Sequence, residues 1–254
     1  MRSLSVAHDA RPQVRTLLIA LAVTIILWFI PFAGFLTYPF RLFVTFIHEG
    51  GHALAALITG NHVYGLQVAP NGSGLTYTSG GNVLARMLVS SAGYLGAMAY
   101  GALLLVLIRR AVAARAVLVG SAVFVLGLTL LYGFPNVFTI VAGVLLAAGL
   151  VVAARYASPI AANFLVAFLA VQCIVGALFD LRTLIFLSAP FRTVHTDAQN
   201  MAAATHLPAL FWALAWTALA VVILAGALRA YARGGRIAPA GTPLPLRNRR
   251  GYSV

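Results

Sequence analysis

The stretch Phe46-Ile47-His48-Glu49-Gly50-Gly51-His52-Ala53-Leu54 sets three ionisable groups inside an apolar run, and the reading of the chain turns on it. On a helix, residues four apart lie on one face. His48 and His52 therefore present their imidazoles to a common point, with Glu49 beside them. Two imidazoles so placed can bind one zinc at ~2.0–2.1 Å, and the glutamate between them can act as a general base. The surrounding run, about 41–60, is long enough to cross a bilayer. Ionisable residues inside a span are costly and usually functional. Glu49 is also the only glutamate in the chain. With six histidines in 254 residues, composition alone would flank it in this way about once in two thousand trials. The bland reading, polar side chains gluing helices together, does not account for that spacing.

Outward from the motif, the composition supports the same setting. Of 254 residues, 62% are hydrophobic and 8% charged, with a mean hydropathy of +0.97. A soluble domain carries roughly 25% charged and 45–50% apolar residues. The chain is expected to be an all-α polytopic membrane protein of about seven transmembrane helices, near 17–37, 41–60, 83–108, 116–133, 136–154, 160–187 and 208–231. Between the second and third lies a different pattern. His62 to Val68 contains β-formers, Asn71-Gly72-Ser73-Gly74 is a turn signal, and Leu75 to Thr78 is a second short strand. A β-hairpin over 61–82 is expected. Because an open sheet edge cannot face lipid, it must sit at the interface or line a cavity. Residues 1–16 form a polar arm, 17–231 the membrane domain, and 232–254 an Arg-, Gly- and Pro-rich tail expected to be disordered.

Seventeen basic residues face four acidic ones, for a formal charge of +13, and every basic residue is arginine. Most arginines punctuate the apolar runs, as topology determinants and lipid headgroup contacts do. That pattern excludes nucleic acid as a partner. The single Cys173 excludes an internal disulfide and a cysteine metal site, and reads as a packing residue. The N-terminus carries no cleavable signal pattern, since the first apolar run is too long for one.

A catalytic zinc usually has three protein ligands, so two histidines leave one place open. The acids are Asp9, Glu49, Asp180 and Asp197. Asp9 lies in the polar arm. Asp180 lies inside the sixth span, where a carboxylate is expensive unless a cation compensates it. Asp180 is therefore expected as third ligand, against a bland reading as a salt bridge to Arg182 or Arg41. Asp197 is the alternative, although Thr196 and Asp197 also read as a helix N-cap. His195 and His206 read as interfacial, and His62 as solvated.

At these residues the chain resembles the site-2 protease family of intramembrane zinc metalloproteases, in its compact bacterial branch. The resemblance rests on Phe46 to Ala56, on the glycine-containing hairpin after it, and on a later intramembrane aspartate. It implies zinc held by His48, His52 and Asp180, and Glu49 as the catalytic group. Its substrates would be membrane proteins or peptides, cut within the bilayer of a bacterial inner membrane. The sequence departs from the family's usual Asn-Pro and Leu-Asp-Gly signature, having Phe179-Asp180-Leu181, and has no PDZ-like insertion. The competing reading is a metal-binding membrane protein without protease activity, such as a transporter or a scaffold. A transporter would show inverted repeats, and the chain has none.

Overall fold

The structure, a computed structural model, describes residues 11–109, 113–134, 136–188 and 196–233. Among them the elements run α1 (Arg11–Phe29), α2 (Gly34–Ile58), β1 (Val63–Val68), β2 (Gly74–Thr78), α3 (Val83–Arg109), α4 (Ala114–Tyr132), α5 (Val137–Tyr156), α6 (Pro159–Leu187), α7 (Asp197–Thr205) and α8 (Ala209–Arg233). α3, α4, α5, α6 and α8 lie close to the expected spans, α1 and α2 start about six or seven residues before theirs, and α7 is a short helix in the polar stretch before the last. Five helices, α3, α4, α5, α6 and α8, are long and apolar enough to cross a membrane. Five of the seven expected spans thus meet both criteria among the described residues. α1 has only the shorter apolar run Val14–Leu27, and α2 interrupts its apolar character with the His48–His52 motif. Asp9, His195 and the tail from 234 lie outside the described residues.

The helix ends follow local chemistry. α1 stops at Phe29, just ahead of Ile30-Pro31, because a proline disfavours the helical conformation in the residue before it. The boundary implied between the expected spans 17–37 and 41–60 does not fall between them, because α2 runs through it from Gly34. Pro39 is the sixth residue of α2, so its missing N–H costs the ladder one i→i−4 bond without ending the helix. Asn136 caps α5 by accepting from the Thr139 N–H at 2.8 Å. Ser158 caps α6 with Pro159 at the first helical position.

α3 is the central helix, packed against α2, α6, α7 and α8. Outer faces stay apolar, with Val141, Leu145 and Val152 of α5 and Leu219 and Val222 of α8 exposed. Helices hydrophobic on both inner and outer faces suit a lipid surround.

The hairpin is antiparallel, with Leu66 opposite Thr76 and Val68 opposite Gly74. Its turn is closed by Ala69 N–H to Ser73 O at 2.8 Å, and Gly72 adopts φ +86°, which favours glycine. α2 holds that turn from outside. Tyr38 OH donates to Pro70 O at 2.7 Å, Arg41 Nη2 to Asn71 O at 2.9 Å, and Thr45 Oγ1 to Gly72 O at 2.8 Å. On the other strand Leu66 and Val68 are fully buried. Thr139 of α5 accepts from the Val68 N–H at 2.8 Å. The hairpin is therefore wedged among α2, α4 and α5, and β2 lines a cavity.

Candidate metal centre

Glu49 and His52 are buried, an unusual state for two ionisable residues one turn apart on a helix set among membrane spans. Helical periodicity brings His48 Nε2 and His52 Nε2 to 3.1 Å of each other. The Val89 carbonyl of α3 lies 2.7 Å from His52 Nδ1. An Nδ1–H donating there leaves Nε2 with its lone pair free. Asp197 completes the group: its Oδ2 stands 3.5 Å from His52 Nε2 and 3.8 Å from His48 Nε2. One donor atom from each of the three residues lies within 4.8 Å of the others. Two ligands of a tetrahedral zinc at ~2.0–2.1 Å are separated by about 3.3 Å. Two imidazole nitrogens and a carboxylate oxygen at these spacings are a donor set that fits such an ion.

The glycines of the motif explain how three helices meet here. A Cβ on Gly50 would lie 2.7 Å from Leu128 Cδ1 and 2.8 Å from Phe124 Cζ, both of α4. A Cβ on Gly51 would collide with the Ala92 carbonyl of α3. Across the crossing, a Cβ on Gly93 would run into Nε2 of both His48 and His52. Gly93 thus leaves open the space into which the imidazoles point.

Asp197 reaches the cluster because it is the first residue of α7 and another side chain does the capping. Thr196 is the N-cap, its hydroxyl accepting from the Gln199 N–H at 3.3 Å. The Asp197 carboxylate is free to turn toward the histidines. Its burial works to raise its pKa, but His52 and then His48 outweigh that and hold it below the usual carboxylate range.

Asp180, the expected third ligand, stands on α6 along the wall of the same cavity and is not among the three clustered donors. The salt bridges considered for it are not formed among the described residues either. Arg41 is engaged by Asn71 and Tyr38, and the Arg182 guanidinium lies 5.3 Å over the Phe186 ring. His62 is exposed before β1, and His206 forms the left-handed C-cap of α7.

Two neighbours were not legible as site residues. Thr76 of β2 donates to Glu49 Oε2 at 2.7 Å and lies 3.1 Å from the Glu49 backbone O. Gly74, beside it, would press a Cβ to 2.6 Å from Glu49 Cγ. Tyr94 of α3 sets its ring edge-on to His48, with centroids 4.6 Å apart. Strand alternation does place Thr76 and Gly74 on one face, but nothing in the sequence says that this face meets α2. The cavity in front of these groups is about 570 Å³ and is lined by both polar and apolar side chains.

The helices and this cluster define a multi-pass membrane protein with a candidate metal centre set among its helices. The family model described as Peptidase M50B-like matches residues 17–227, and the chain belongs to that family, the site-2 protease family. Among curated proteins and among solved structures, no match to the chain was found.

Proposed function

We propose that the protein is an intramembrane zinc metalloprotease that hydrolyses peptide bonds of membrane-embedded proteins or peptides in a cell membrane. The observation that carries this reading is the meeting of His48, His52 and Asp197 at ligand spacing, with the Glu49 carboxylate one residue along the same helix. In this reading His48, His52 and Asp197 hold zinc. In this reading Asp197 fills the third place rather than the expected Asp180, because among the described acids Asp197 stands 3.5 Å from His52 Nε2 and 3.8 Å from His48 Nε2. When bound, zinc supplies Lewis-acid polarisation of the scissile carbonyl and acidifies water toward neutrality.

The remaining work falls to the chain's own groups. Glu49 takes the proton from the attacking water and returns it to the leaving amine. Thr76 holds one carboxylate oxygen, Oε2, so the carboxylate keeps a fixed orientation. Peptide hydrolysis needs an extended substrate. β2 runs along the cavity while β1 is fastened to α5 through Val68 and Thr139. An extended segment can then lie beside β2 as an added strand.

Glu49→Gln tests the reading. The purified variant should keep one zinc per chain and lose cleavage of a membrane-spanning test substrate by at least ~10²-fold, the scale of lost acid–base catalysis. Turnover that survives this substitution would sink the mechanism.

A further inference from the structure

We propose that Tyr94 is a further catalytic residue, whose phenolic O–H donates to the oxyanion that develops on the scissile carbonyl. The inference rests on the metalloprotease reading above and adds a group to it.

The position of the ring is well determined by its neighbours. One side meets His48 edge-on, with centroids 4.6 Å apart and planes at 89°. The other stacks on Trp216 of α8 at 5.7 Å and 23°. Trp216 is itself buried and anchored, its Nε1–H donating to Ser91 Oγ at 3.0 Å. Ser91 in turn donates to the Met87 carbonyl at 2.7 Å. Tyr94 is thus clamped between a histidine of the centre and a fixed indole.

Packing alone would need only a phenyl ring. The hydroxyl requires a further reason, because a half-buried phenol among membrane helices ordinarily finds an acceptor. Among the described residues no hydrogen bond to the Tyr94 hydroxyl is formed. The residue lines the cavity that also holds Glu49, Asp180 and Asp197, and it lies within electrostatic reach of all three carboxylates. An O–H donor is wanted where negative charge grows during attack on a carbonyl. A donor fixed beforehand stabilises the transition state without reorganising. Thr76 also carries a hydroxyl on this cavity, but its hydrogen is given to Glu49, whereas Tyr94 is a neutral donor beside His48 with its hydrogen unspent. No proton leaves the phenol in this role. It donates one hydrogen bond, which strengthens as the carbonyl oxygen becomes anionic.

Tyr94→Phe separates the two roles, because it keeps the ring contacts with His48 and Trp216 and removes only the hydroxyl. The assay uses purified full-length protein in detergent, a quenched-fluorescence peptide that the wild type cleaves, and a phosphinic peptide whose tetrahedral centre mimics the transition state. For Tyr94→Phe, kcat should fall on the order of 10²-fold, the scale of losing one oxyanion donor, with KM within about two-fold. Phosphinic-peptide affinity should fall in parallel. Zinc content and melting temperature should match the wild type. Unchanged kcat and phosphinic-peptide affinity would overturn the proposal. Loss of zinc in Tyr94→Phe would also overturn it, by making the residue a support for His48. If the wild type cleaves nothing, the protease reading fails first. Phosphinic-peptide binding to the zinc-loaded protein then still reports on the hydroxyl.

Discussion

The two walls of the cavity contribute donor atoms to one cluster but are built differently. On the α2–α3 side, the histidines sit on a 25-residue helix. Its buried residues Phe43, Phe46, Ile47 and Ala53 fix it in the core, and Gly50 and Gly51 are pressed against α4 and α3. On the other side, Asp197 opens a helix of nine residues that buries only Ala198, Met201 and Ala204. The spacing of His48 and His52 follows from helical geometry and exists as soon as α2 forms. The place of Asp197 exists only after α7 has docked on α3 and α8. The centre is thus two-thirds a local property and one-third a tertiary one.

The largest effect should come from breaking the tertiary third. Asp197→Asn keeps the side-chain size and removes the charge, and should weaken zinc binding by more than ~100-fold, beyond the range of outer-shell substitutions. Asp180→Asn should leave zinc within a few-fold of wild type. Metal content after dialysis, together with titration by a zinc-sensitive dye, checks both. The reverse pattern would return the third ligand to Asp180 and would mean that α7 is not part of the centre.

A smaller effect should follow from crowding the local two-thirds. Gly93→Ala drives a methyl group toward both imidazole nitrogens, so the rings must turn away from their shared point. Zinc affinity should drop by on the order of 10- to 100-fold, as when the support of a ligand is lost. Gly120→Ala is the control, since a Cβ there meets nothing within 4 Å. In that helix interior it should be neutral or slightly stabilising. If Gly93→Ala bound zinc normally, the imidazoles would have slack that the tight helix crossing does not suggest.

These contrasts also show what was legible beforehand. His48, Glu49 and His52 could be read because a four-residue spacing has one meaning on a helix. The hairpin could be read because Asn71-Gly72-Ser73-Gly74 is a local turn signal. Asp197 reads from sequence as the alternative ligand, since a threonine-aspartate pair ahead of a helix suits a cap. Which of the two caps is a local detail, and Thr196 does. Burial of Asp180 inside a span states that a carboxylate needs a reason and does not say where it points, while Asp197 is the acid that stands beside both imidazoles among the described residues. The boundary between the spans expected at 17–37 and 41–60 shifts for a related reason: α2 accommodates Pro39, and the interruption falls at Pro31. Thr76 and Tyr94 lay beyond reach because their partners are 27 and 46 positions away in sequence, on other elements.

The smallest effect is expected where the hairpin is fastened far from the ligands. Thr139 is fully buried, and its Oγ1 accepts from the Val68 N–H at 2.8 Å and lies 3.2 Å from the Val68 carbonyl. Thr139→Val preserves shape and leaves that buried N–H without its acceptor, a loss of about 1–3 kcal/mol. Thermal unfolding in detergent should shift downward while zinc content stays at one per chain. Activity should fall only to the extent that β2 wavers beside Glu49, because Thr76 is bonded to the carboxylate independently of Thr139. A fall in zinc content in this variant would join the hairpin seat to the metal ligands. The α2 wall would then depend on tertiary docking as much as the α7 wall does.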